Sequence, residues 1–142
     1  MPVVETTMEI KEIDIETLWK NISDFERYPH FMDDVLEVTC RPDETGTVSS
    51  WKVLLNGSEL NWVEKDHFYP YEKIVFEQIE GDIDLYKGAW EIDYTEAEKT
   101  ARVTLTIEFD LGIPSLADML NPMGVKAIKA NSYKMLDAIQ KM

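Results

Sequence analysis

The chain has 142 residues, enough for one ordinary domain with a sizeable core, and its 44% hydrophobic and 30% charged residues exclude disordered and collagen-like classes. Its 28 acidic and 14 basic residues leave a net charge of -14, which repels phosphate backbones and anionic membranes and argues against nucleic acid as a partner. No apolar run approaches the roughly 20 residues that span a bilayer. The acidic start around Glu5 has no signal-peptide layout, and the single Cys40 excludes an internal disulfide or a thiolate zinc cluster, so the expected location is cytoplasmic.

The sequence predicts a half-buried strand over Val4–Ile13, with Val4, Thr6, Met8 and Ile10 on one side. Asp14 stands at a helix N-cap ahead of Ile15, Leu18, Trp19 and Ile22. A second short helix is expected over Ser23–Tyr28, ended or redirected by Pro29. Period-two patterning then predicts strands near 35–41, 47–55, 58–67, 73–79, 85–94 and 100–110. Asn56-Gly57 reads as a two-residue type I′ hairpin turn, which sets Trp51 opposite Trp62 and Val53 opposite Leu60. Leu116, Met119 and Leu120 form a short turn. Asn121 and Pro122 then start a long amphipathic helix carrying Met123, Ala127, Ile128, Asn131, Met135, Leu136 and Ile139. That helix and its flank hold four lysines against Asp137, so residues 1–120 carry -17. The order of elements is α+β: a curved antiparallel sheet wrapped around the long helix, able to part from it and leave a cavity.

Several segments carry a resemblance: Ile15 to Trp19, Asp24 through Tyr28-Pro29, Val35 to Val38, Trp62-Val63, Gly81 with Gly88 to Trp90, Ile107 to Asp110, and Lys129 to Asn131. In this order they resemble the START-like (SRPBCC) polyketide cyclase/dehydrase and lipid transport superfamily, nearest to the single-domain aromatase/cyclases of aromatic polyketide synthesis. The resemblance spans essentially all of 1–142. It implies a single START-like domain with the helix-grip fold: seven antiparallel strands around a long C-terminal helix, with two short helices after the first strand. It also implies a hydrophobic pocket that folds a poly-β-ketone chain, presented by an acyl carrier protein, and promotes aldol closure and loss of water. Aligned through Trp62-Val63, Asp66 stands where these cyclases carry a strand arginine, Gln78 where they carry a second, and Val35 where they carry a pocket tyrosine.

Glu64 and Asp66 share the side of Trp62, and a carboxyl beside indole rings has its pKa raised by desolvation. They are the candidate catalytic acid–base residues; a solvated strand end is the competing reading for Asp66. Trp51, Trp62, Tyr28, Gln78, Tyr86, Trp90, Asn131 and Met135 are the candidate substrate-binding residues. Asn131 reads equally well as a buried amide satisfying a neighbouring strand, and Trp51 and Trp62 as a stabilising cross-strand pair. His30 and His67 have no ligands at metal spacing, Ser49-Ser50 lacks a nucleophile elbow, and no Gly-rich phosphate loop exists. Neither metal nor cofactor is therefore expected. The expected function is a cofactor-independent polyketide cyclase-like enzyme acting on a hydrophobic, polyketide-like molecule. The alternative is a non-catalytic carrier for a quinone, lipid or other apolar small molecule. Either a monomer or a homodimer fits.

Overall fold

The computed structural model describes residues 3–55, 58–110 and 117–141 and, within these, every side chain except those of 58, 117–124 and 127. Its elements are β1 (Val3–Ile10), α1 (Ile15–Ser23), a 3-10 turn (Phe25–Arg27), α2 (Tyr28–Phe31), β2 (Val35–Asp43), β3 (Gly46–Leu55), β4 (Ser58–Tyr69), β5 (Lys73–Gly81), β6 (Leu85–Thr95), β7 (Thr100–Asp110) and α3 (Ala117–Gln140). The strands form one antiparallel sheet in the order β1-β7-β6-β5-β4-β3-β2. Successive hairpins build β2 to β7, and β1 then pairs along β7, Val4 opposite Ile107 and Ile10 opposite Ala101. This is the helix-grip α+β fold: α3 lies along the sheet, packed most closely on β1, and the core fills the space between them.

Strand alternation decides what is buried. Val103, Leu105, Ile107 and Phe109 of β7 face inward with Val4 and Ile10 of β1, and Leu136 and Ile139 of α3 close over them. The Asn56-Gly57 turn lies outside the described residues, yet its consequence is visible: Trp51 pairs with Trp62, Val53 with Leu60 and Leu55 with Ser58. Among the described residues no helix is long and apolar enough to cross a membrane.

Three local expectations change. β1 stops at Ile10, because Glu12 takes a positive φ of 55° and turns the chain toward α1. The second short helix does not end at Pro29. A 3-10 turn over Phe25–Arg27 leads into the one-turn α2, where Pro29 occupies the first turn and its missing N–H leaves nothing unsatisfied. The long helix does not restart at Asn121-Pro122; α3 runs unbroken from Ala117, and Pro122 forgoes the single bond to the Asp118 carbonyl. Leu116 and the side chains of Met119, Leu120, Asn121, Met123 and Ala127 lie outside what the structure describes.

Candidate active site

The site grows from the β3–β4 hairpin. With a side-chain period of two, Ser49, Trp51 and Val53 of β3 and Trp62, Glu64 and Asp66 of β4 all fall on the inner face, and all are buried. Trp51 and Trp62 stack across the pair with centroids 5.8 Å apart and planes 4° from parallel. The helical corner seals one flank, with Phe25 5.1 Å and Tyr28 5.7 Å from the Trp51 ring. Tyr86 of β6 leans on Trp62 at 4.9 Å from the other flank.

Within this aromatic enclosure lie two buried carboxyl groups. Trp62 Nε1–H donates to Glu64 Oε1 at 2.8 Å. Trp51 Nε1–H donates to Ser49 Oγ at 2.8 Å, and the Ser49 hydroxyl donates to Asp66 Oδ2 at 2.5 Å. Asp66 Oδ1 has no hydrogen-bond partner among the described residues. Burial holds Glu64 well above the usual carboxylate range, and the neighbouring Asp66 raises it further against the opposing Trp62 bond. Burial also raises Asp66, but Glu64, the Ser49 hydroxyl and His67 all pull it back down. The two therefore titrate as a pair in which Asp66 ionises first and Glu64 keeps the proton. Burial likewise keeps the Tyr28 and Tyr86 phenols neutral and pushes the Cys40 thiol up to about 12.

Glu64 faces a small internal cavity of about 30 Å³, walled by Phe25, Trp51, Trp62, Tyr86, Trp90 and Leu105 among others and closed from α3 by Asn131 and Met135. That volume is far below the roughly 300–1,000 Å³ of a pocket that encloses a drug-sized ligand, so the resting cavity is largely filled by its own side chains. Outside it, between the Phe31–Val35 segment and the last turns of α3, runs a groove of about 500 Å³. Val35, Asn131 and Met135 border both spaces, so they form the partition between them. The Lys134–Asp34 ion pair, 3.0 Å, spans the groove.

Of the residues singled out from sequence, the structure brings Glu64, Trp51, Trp62, Tyr86, Trp90, Asn131 and Met135 around this one cavity. Three stand off it. Asp66 lies one strand position behind Glu64, fully buried rather than solvated at a strand end. Tyr28 is buried beneath Trp51, and its hydroxyl is spent on the Ile22 carbonyl, tying α2 to α1. Gln78 sits opposite Glu64 in the ladder, but a bulge beside it, with Trp62 paired to Gly81, directs its amide onto the Ile83 carbonyl. Sequence reasoning passed over Ser49, whose signal was present: it shares the inner face and pairs with Glu64. It also missed Phe25, Phe76 and Leu105 as wall residues, while Val35, which stands at the pocket-tyrosine position, does line the cavity. Among the described residues no three His, Cys, Asp or Glu side chains converge as metal ligands.

A family model for polyketide cyclase/dehydrase and lipid transport matches residues 12–136. No curated protein matches the sequence. Among solved structures the chain is similar to the TTHA0849 protein of Thermus thermophilus, at 22% identity over 99% of this chain and 95% of that one, with a TM-score of 0.88. It is similar to the Zhui aromatase/cyclase of Streptomyces sp. R1128, at 18% identity over 99% and 92% of the two chains, with a TM-score of 0.85. A START superfamily protein from Mycobacterium smegmatis follows at 19% identity over 98% and 94%, with a TM-score of 0.76. At these identities the likeness is one of fold.

Proposed function

Because the chain belongs to the polyketide cyclase/dehydrase and lipid transport family, we propose that it is a cofactor-independent cyclase that closes and dehydrates a poly-β-ketone chain, with Glu64 as general acid. The observation that carries this reading is the buried Glu64 carboxyl on the wall of a largely apolar, aromatic-rich cavity, raised by that burial and with Asp66 behind it. An apolar enclosure restricts a chain with many enolisable carbons to one near-attack geometry, which is the larger part of the rate. Glu64 supplies the proton. As an enol carbon of the substrate attacks a ketone carbon, the developing alkoxide takes the Glu64 proton. The Trp62 indole N–H stabilises the carboxylate that forms, and the enol O–H proton restores Glu64 as the carbon–carbon bond closes. In dehydration the same carboxyl protonates the departing β-hydroxyl and then takes the adjacent α proton. Tyr86 and Asn131 line the same cavity, and in this reading they hold carbonyl oxygens.

A poly-β-ketone does not fit in about 30 Å³, so the substrate occupies the outer groove as well, and the unbranched Met135 side chain is the element of the partition that yields. The family also includes lipid transport, which supports a second reading, a carrier for a quinone or lipid that binds without chemistry. An acyl carrier protein remains a candidate for presenting the substrate. Its docking would use the lysines of α3, since the rest of the chain is acidic.

The test pairs binding with turnover. Tryptophan fluorescence is titrated against polycyclic phenols, quinones and fatty acids, and cyclisation of a poly-β-ketone thioester mimic is followed for the wild type and E64Q. The cyclase reading expects saturable quenching by polycyclic phenols in both proteins and turnover lower by about 10²–10⁴-fold in E64Q. Equal turnover in E64Q removes Glu64 as the acid. A co-purified lipid or quinone with no turnover supports the carrier.

A further inference from the structure

Ser49 takes no part in the acid step, yet it is fully buried and its hydroxyl is engaged on both sides. An indole N–H can only donate, and among the described residues the Ser49 hydrogen has no acceptor but Asp66, so the chain runs from Trp51 Nε1–H to Ser49 Oγ, then from Ser49 O–H to Asp66 Oδ2. The bond Asp66 receives is one that favours its charged form. While Ser49 donates to Oδ2, a protonated Asp66 has only Oδ1 for its hydrogen, which is buried with no partner among the described residues, and a hydrogen on Oδ2 would instead leave the Ser49 hydrogen without an acceptor. Among the described residues the one donor to Glu64 is the Trp62 N–H.

We propose that Ser49 is a positioning residue that decides which of the two carboxyl groups carries the shared proton: oriented by Trp51, its hydroxyl holds Asp66 as the carboxylate and so leaves the proton on Glu64, facing the cavity. This rests on the acid role proposed for Glu64. The other titratable groups around the pair act in the background. His67, next to Asp66 on β4, favours the Asp66 carboxylate. Tyr28 from α2, Tyr86 from β6 and Cys40 from β2 stay neutral through burial. From β5 the pair meets only Gln78 and Phe76 across the ladder, and Asp24 acts on Tyr28 and Cys40.

The test is infrared difference spectroscopy over pH, reading the C=O stretch of protonated carboxyl groups without any substrate. In the wild type near neutral pH one acid band is expected, absent in E64Q and present in D66N. In S49A the lower of the pair's two ionisations moves up by about one pH unit, the scale set by losing a hydrogen bond to a charged group. Part of the acid band then belongs to Asp66. S49T, which keeps a hydroxyl, returns toward the wild-type titration. A wild-type band that survives in E64Q, an S49A titration identical to wild type, or an S49T titration identical to S49A overturns the proposal. If S49A does not fold, W51F decides, since it leaves the hydroxyl in place but without its orienting donor. A smaller upward move supports the proposal and no move overturns it. Because the readout is proton placement, loss of the acid role in turnover and loss of the Ser49 role give different results.

Discussion

Burying Glu64 and Asp66 side by side, with tryptophan and serine donors instead of a lysine or arginine, makes the proton part of the fold. Both carboxyls are raised in the folded chain by burial. The folded state therefore retains a proton that the unfolded chain has released once the pH exceeds the ordinary range of about 4. The sign follows: this contribution is fully present below pH 4 and is lost as the pH rises toward the raised value of Glu64. E64Q, which stays neutral and can still accept from Trp62, should match the wild type in thermal stability near pH 4 and exceed it at pH 8. Its advantage should grow by up to about 1.4 kcal/mol per pH unit within the window, each kcal/mol appearing as about 2–4 °C in Tm. Thermal melts of both proteins across pH check this, and a gap that does not widen would mean that Glu64 ionises normally in the fold. At this scale period-two alternation alone placed Glu64 and Asp66 beside Trp62. The Ser49 bond was not legible, because which oxygen a buried hydroxyl meets depends on rotamers fixed by neighbours from another strand.

The elements that carry the site are held in register by backbone approaches as much as by side chains. Gly88 of β6 lies opposite Phe76 and Ile107. A Cβ there would overlap the Thr106 carbonyl oxygen and stand 2.9 Å from Phe76 Cζ, the former being backbone that cannot swing away. G88A should therefore destabilise by about 1–3 kcal/mol through strand displacement, as overpacking does in tight cores, read as a lower urea midpoint at unchanged slope. A wild-type midpoint would show that β6 and β7 can part at little cost. Gly81 plays a related part against the site: a Cβ there would lie 2.5 Å from Trp62 Cβ, the residue that hydrogen-bonds Glu64. Strand spans and the β3–β4 register were legible because each rests on local alternation and one turn signal. The roles of Pro29 and Pro122 were not, since whether a helix starts at a proline, ends there or runs through it depends on how the neighbouring turns are placed.

For the whole molecule, charge and shape act together. A net charge of -14 spread over one small body opposes its own compaction. Surface ion pairs such as Lys52–Glu59 and Lys87–Glu108, at 3.6 and 3.8 Å, are each worth less than about 1 kcal/mol. Raising ionic strength from about 0.01 to 0.15 M shortens the screening length from about 30 to 8 Å. Repulsion between distant carboxylates should fade more than the close pairs weaken, so Tm should rise by several degrees. Calorimetry at fixed pH checks it, and a fall in Tm would place the ion pairs above the repulsion. By itself the sequence determined the α+β class, the strand spans apart from the end of β1, the shared face of Trp62, Glu64 and Asp66 and the acidic pair within the sheet, because all of these follow from short-range periodicity and turn chemistry. Only the tertiary structure decided that β1 closes the sheet on β7, that Asn131 and Met135 divide a small cavity from a larger groove, and that Ser49 stands between Trp51 and Asp66. Those features arise where residues distant in sequence meet, and their free volume and hydrogen-bond directions exist only once the elements have packed.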